Sequence, residues 1–158
     1  MKWFQLKPMS SAPPDFLLEE FLPYRLSVTA NRVSRLFASR YGAEFGLSIP
    51  EWRVMAVLGR FGALPAREIA QQTAMDKVKV SRAAGLLLVR KLVRRRADRA
   101  DARLQWVVLT PAGARMHAAI LPIAQALEEE LLAGLAPAQI AALHEALAHI
   151  NGKLTAEP

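Results

Sequence analysis

Cysteine is absent from all 158 residues. Disulfides, thiolate metal ligands and thiol-based peroxide sensing are thereby excluded, which leaves methionine as the one oxidisable sulfur. Long apolar runs are missing as well: no uncharged stretch approaches the roughly 18–20 residues that a membrane span requires. The opening "MKWFQLKPMSSAPPDF" has two lysines but no long apolar centre, so it does not read as a secretory signal. The expectation is a soluble, cytoplasmic protein with no membrane partner. Histidine is scarce. His144 and His149 lie five apart on one expected helix, poor spacing for two ligands on one face, and His117 stands alone, so no metal site is expected. No P-loop, dinucleotide fingerprint or nucleophile elbow is present. Glu128, Glu129 and Glu130 are consecutive and point around a helix instead of converging as an acid pair must. Neither an enzyme nor a cofactor is expected.

What is abundant is apolar side chain, 53% of the total, enough for a sizeable core in a chain the size of one ordinary domain. The net charge is +7, and its distribution matters more than its size. Between Lys77 and Arg103 stand ten cations (Lys77, Lys79, Arg82, Arg90, Lys91, Arg94, Arg95, Arg96, Arg99, Arg103) and two anions, Asp98 and Asp101. That segment is +8, so the remainder of a +7 chain sums to −1. A near-neutral scaffold carrying one concentrated basic segment points to a polyanion, nucleic acid first and an acidic membrane surface second. A solvated charge run is the bland alternative.

Periodicity divides the chain. Residues 1–14, with three prolines and two serines, read as an extended or flexible arm, and 15–158 as a single unit. Asp15 is placed to cap a helix; Pro23 either kinks it or sits in the first turn of the main helix, which continues to about Tyr41 and Gly42. "SIPEWRVMAVLGRFG" opens with Ser48 as cap, Pro50 in the first turn and Glu51 behind it, and stops at Gly62; apolar on most of its circumference, it belongs in the middle of the domain. "PAREIAQQTAMDKVKVSRAAGLLL" should be two short helices broken near Ala74 and Met75, with Asp76 capping the second. "LVRRR" and "LQWVVLT" read as a two-stranded hairpin. Thr110 and Pro111 start a helix to about Ala133, expected to bend at Pro122, and Pro137 opens the last, through about Lys153. The fold class is mainly α with a small β-hairpin, in the order α-α-α-α-β-β-α-α.

Turning 100° per residue from Lys77 puts Val80, Ala83, Ala84 and Leu87 on one side and Val78, Lys79, Ser81, Arg82 and Gly85 on the other. The back of this helix is anchored and its front is basic, small and available. Gly85 costs about 1 kcal/mol against alanine, so either something approaches it closely or it is tolerated. Ala70, Ala74 and Val80 are placed as a helix-turn-helix wants them: small where helices cross, small at the turn, branched into the core. A basic hairpin directly after such a pair makes a winged helix, whose second helix enters the major groove while the hairpin reaches the adjoining backbone or minor groove. Arg99 and Arg103 stand near the hairpin tip, and Asp98 and Asp101 are placed to pair with arginines.

On these residues the chain resembles the MarR (multiple antibiotic resistance regulator) family of winged-helix transcription factors. "ANRVSRLFASRYGAEFGLSIPEWRVMAVLGRFG", "REIAQQTAMDKVKVSRA" and "DARLQWVVLTPAGARM" look like family segments in the family's order. The most specific piece is Asp101-x-Arg103 followed by Val108-Leu109-Thr110-x-x-Gly113. The resemblance implies a homodimer joined through helices at about 15–45 and 111–154. Each subunit would offer a winged-helix lobe, about 48–110, to half of a pseudo-palindromic site on double-stranded DNA. By the same likeness Lys77, Lys79, Ser81 and Arg82 match positions that meet the major groove and its phosphates. Arg103 matches the wing arginine of the minor groove, and Asp101 the acid that orients it. Two departures are visible: Lys91 stands where the family usually has glycine, and Arg99 and Ala100 where it often has proline.

MarR-like dimers often bind small aromatic anions between the dimer helices and the lobe. Arg32, Phe45, Trp52, Arg53 and Met55 are the residues here that would line such a crevice, although core packing explains the apolar three better. The expected function is a ligand-responsive repressor. The rival is a winged-helix module that holds an acidic protein partner or binds nucleic acid without sequence preference.

Overall fold

A computed structural model of the chain describes residues 16–98 and 105–155. The chain divides into two compact units, one up to Leu36 and one from Phe37 onward. In the first, Phe16 and Phe21 pack ring on ring at 5.3 Å before α1 (Leu22–Phe45) begins. Pro23 therefore falls in the first turn, where its missing N–H has no helical partner to lose, and no kink arises. Asp15, the proposed cap, lies outside the described residues, as does the arm 1–14. The helix runs past Tyr41 and Gly42, contrary to the sequence reading. Gly46, in the left-handed region at φ 61°, ends it instead, its N–H bonded to the Gly42 carbonyl.

In the second unit, α2 (Ile49–Phe61) starts on the expected Ser48. The Ser48 hydroxyl accepts from the Glu51 amide, and Glu51 accepts from the Ser48 amide at 2.9 Å, a reciprocal capping box. Val54, Met55 and Leu58 are buried, so α2 is the central helix. α3 (Ala66–Thr73) and α4 (Lys77–Val89) follow, separated by Ala74 in the left-handed conformation at φ 51°. Asp76 caps α4, accepting from the Lys79 amide at 2.8 Å. The core gathers Tyr41, Leu47, Val54, Met55, Leu58, Ile69, Val80, Leu87 and Val107, among others.

The hairpin consists of β2 (Val93–Ala97) and β3 (Gln105–Leu109), antiparallel with Arg95 opposite Val107. A third strand that periodicity did not suggest, β1 (Leu64–Pro65), joins the other side of β3, giving the order β1-β3-β2. Two residues, one of them a proline, are too short to show an alternating pattern. α5 (Pro111–Leu132) continues through Pro122, and α6 (Pro137–Thr155) closes the chain. Among the described residues no single helix is long and apolar enough to cross a membrane.

Candidate nucleic-acid interface

The α4 helix separates its two faces as the wheel requires. Val80 and Leu87 are 0% exposed and Ala83 2%, whereas Lys77, Val78, Lys79, Ser81 and Arg82 are all exposed. α3 crosses behind it through Ile69, also 0% exposed, with Ala70 half-buried beside it. Lys79 does double work at the helix start: its amide, and then its ammonium 3.2 Å from Asp76, hold the Asp76 carboxyl below the usual carboxylate range. Gly85 has open space where a side chain would stand, so no neighbour among the described residues demands the glycine. Beside this face a cleft of about 230 Å³ is lined by Ser48, Pro50, Lys79, Arg82, Ala83 and Leu86.

The end of α4 explains the departure at Lys91. The Lys91 amide bonds to the Leu88 carbonyl and the Leu92 amide to the Leu87 carbonyl, both at 2.9 Å, which is the Schellman arrangement. That turn puts its residue in the left-handed region, and Lys91 sits there at φ 58°. The turn is the one glycine would make, held by a lysine.

The hairpin rises from the same corner. Arg94, Arg95 and Arg96 are exposed along β2, while Val93 and Val107 are buried. At the end of the hairpin away from α4 the Trp106 indole donates to Asp98 at 2.9 Å, a partner the sequence reading did not assign to that acid. Arg99, Asp101 and Arg103 lie outside the described residues. The Thr110-x-x-Gly113 motif acquires a physical meaning here. The Thr110 hydroxyl donates to the Lys91 carbonyl at 2.7 Å and accepts from the Gly113 amide at 3.1 Å, so one side chain caps α5 and pins the turn after α4. Gly113 passes so close to the Leu92 carbonyl that a Cβ would overlap it.

Of the residues singled out for a small ligand, Met55 is 0% exposed and part of the core, Phe45 and Trp52 are half-buried, and Arg53 is exposed. Arg32 is exposed on the part of α1 that belongs to the first unit. Trp52 stands between two rings, Tyr41 at 5.6 Å and His117 at 5.7 Å. Sequence reasoning missed this ladder, since its members come from α1, α2 and α5. It also missed Arg90, whose guanidinium contacts Phe45, Gly46 and Glu51. Among the described residues no group of histidines and carboxylates is placed to hold a metal.

A buried-backed basic helix in a tri-helical corner, followed by a two-stranded wing that a short earlier strand completes into a sheet, defines the winged helix-turn-helix class of DNA-binding proteins. The chain belongs to the MarR family of transcriptional regulators. The family's model matches residues 45–104. A MarR family transcriptional regulator from Silicibacter pomeroyi is 30% identical, with 86% of this chain and 98% of that one covered at a TM-score of 0.73. A probable transcriptional regulator from Pseudomonas aeruginosa is 29% identical, with 85% and 99% covered and a TM-score of 0.74. BpsR of Bordetella bronchiseptica, whose DNA binding is regulated by 6-hydroxynicotinic acid, shares the fold at 24% identity, with 93% and 100% covered and a TM-score of 0.76. No curated protein matches the sequence.

Proposed function

We propose that this regulator is a cytoplasmic, ligand-responsive repressor that binds a pseudo-palindromic operator as a homodimer. The observation that carries the DNA reading is the two-faced α4: its apolar back is fully buried while Lys77, Lys79, Ser81 and Arg82 stand in solvent at the end of the helix that enters a major groove. Arg94, Arg95 and Arg96 on β2 extend the positive surface toward the neighbouring phosphates. Arg99, Asp101 and Arg103 are assigned to the wing tip, with Arg103 entering the minor groove.

Dimerisation is assigned to the segments at about 15–45 and 111–154, with the lobe at 48–110 between them. Two apolar faces left uncovered support it, each within its own unit. Phe16, Phe21, Leu22 and Tyr24 are each at least 44% exposed in the first, and Leu143 and Leu147 are 45% and 38% exposed in the second. For the effector we assign a small aromatic anion, the class to which the BpsR ligand belongs, with Phe45 and the edge of the Trp52 ring ladder as its apolar lining and Arg53 as the cation.

Selection of bound fragments from genomic DNA, followed by footprinting, tests the reading. The expected result is a protected site with twofold symmetry. Losing Arg103 should then cost on the order of 1–3 kcal/mol at that site, and Lys77→Ala should weaken all duplexes alike while lowering the salt slope by about one. Equally tight binding to every duplex and to heparin would instead favour a nonspecific or protein-binding role.

A further inference from the structure

Arg90 belongs to the basic segment by position, yet its guanidinium is turned onto the protein's own backbone. One terminal nitrogen donates to the Phe45 carbonyl at 2.7 Å, and the other donates to the Gly46 carbonyl at 2.9 Å and lies 3.9 Å from the Glu51 carboxylate. Phe45 is the last residue of α1, and the final carbonyls of a helix have no partner within it and carry the negative end of its dipole. Glu51 is 5% exposed and caps the start of α2 through Ser48, so it needs a cation nearby to offset its burial. Arg90 itself closes α4, one residue before the left-handed turn at Lys91. The end of α1, the beginning of α2 and the end of α4 therefore meet on one planar fork.

We propose that Arg90 is a positioning residue for DNA recognition, a clasp that sets where α4 stands relative to the end of α1 and makes no phosphate contact of its own. The inference rests on the DNA-binding reading above. Base readout tolerates little displacement of the recognition helix, and a clasp at its far end fixes the line along which Lys77 to Arg82 project. Because α1 is continuous from Leu22 to Phe45, the clasp is also the point at which a movement of α1 reaches α4. Lysine cannot replace it. An ammonium is a point donor, whereas the guanidinium holds two carbonyls at fixed spacing.

The test uses the full chain with Arg90→Lys, Arg90→Gln and, for comparison, Lys77→Ala, titrated with the selected operator duplex at several salt concentrations. Both Arg90 variants should lose about tenfold in affinity with the salt slope unchanged, while Lys77→Ala lowers the slope by about one. Amide exchange, which needs no DNA, should quicken across residues 45–51 and 86–92 in both Arg90 variants. A slope reduced by about one in Arg90→Gln, with affinity restored by lysine, would make Arg90 a phosphate contact and overturn the proposal. A lower melting temperature with unchanged affinity would also overturn it, leaving only a structural tie. Unaltered exchange overturns the clasp whatever the DNA result. A parent that prefers no duplex overturns the operator reading, and with it the recognition role, while exchange still decides the clasp.

Discussion

The α4 helix and the α6 helix are built from similar material and meet opposite fates. Each carries a stripe of aliphatic side chains at helical spacing. On α4 the stripe disappears into the core, with Val80 and Leu87 at 0% exposure, whereas none of residues 137–154 of α6 is buried and Leu143 remains 45% exposed. A periodic apolar face says that something must cover it and leaves open what does. For α4 the cover is α2, α3 and the wing; for α6 it is the second copy proposed above. The two helices should therefore break differently. Leu87→Ala should cost about 2–5 kcal/mol of stability by opening a cavity in the lobe, read by denaturant titration against the parent at equal protein concentration. Leu143→Glu with Leu147→Glu should leave the lobe folded but halve the mass seen by sedimentation and abolish tight operator binding. A double variant that still sediments as a dimer would move the interface elsewhere.

Two helical glycines give the next contrast. Gly113 on α5 lies against the Leu92 carbonyl, a backbone atom that cannot swing aside, while Gly85 on α4 has empty space over it. Gly113→Ala should therefore destabilise by about 1–3 kcal/mol, because the overlap must be relieved by moving α5 away from the turn that Thr110 pins. Gly85→Ala should stabilise by up to about 1 kcal/mol through helix propensity alone. If Gly85→Ala is more stable yet binds operator less well, the glycine is there for the DNA.

A smaller effect separates the two ends of the recognition pair from the other helix ends. Gly46, Gly62 and Gly134 have positive φ without a Cβ, but the turns on either side of α4 place Ala74 and Lys91 in the same region. A left-handed residue with a side chain costs roughly 1–2 kcal/mol, so Ala74→Gly and Lys91→Gly should each raise stability by up to about 1 kcal/mol after the greater freedom of the unfolded chain is counted. Melting temperatures of the two variants check this.

These contrasts also show what could be read from the residues alone. Ser48 with Glu51, Asp76 before α4, and Thr110 with Pro111 are local signals, acting over three or four residues, and the helix starts they announce are where the structure has them. Gly42 and Gly46 are equally plausible stops for α1 in one dimension; Gly42 stays helical because Phe45 and Leu47 beyond it have a core to enter. β1 and the Arg90 clasp were illegible for a different reason. Leu64 pairs with Val107, and Arg90 reaches back to Phe45, across separations that no period connects. In the candidate interface the exposed front of α4 followed from its periodicity, whereas the direction of an individual arginine did not. Lys79 and Arg90 look alike as letters; one begins a helix facing solvent and the other ends it facing a carbonyl.

The mildest expected effect concerns His117, and it is set by the same distinction between covered and uncovered faces. His117 stacks on Trp52 with ring planes 24° apart and lies so close to Gly59 that a Cβ there would strike it. Burial disfavours the imidazolium, so its pKa in the folded protein is below the ordinary 6.5. The unfolded chain then binds the proton more readily than the folded one as pH falls through that ordinary value. Stability contributed by this site is intact above about pH 7 and declines as the pH drops below the unfolded pKa, levelling off once the folded form also takes the proton. Denaturation midpoints at about pH 7.5 and about pH 5.5 should fall further for the parent than for His117→Phe, which keeps a flat ring against Trp52 and has nothing to titrate. Equal decline in the two proteins would assign the acid sensitivity to carboxylates and leave His117 as packing alone.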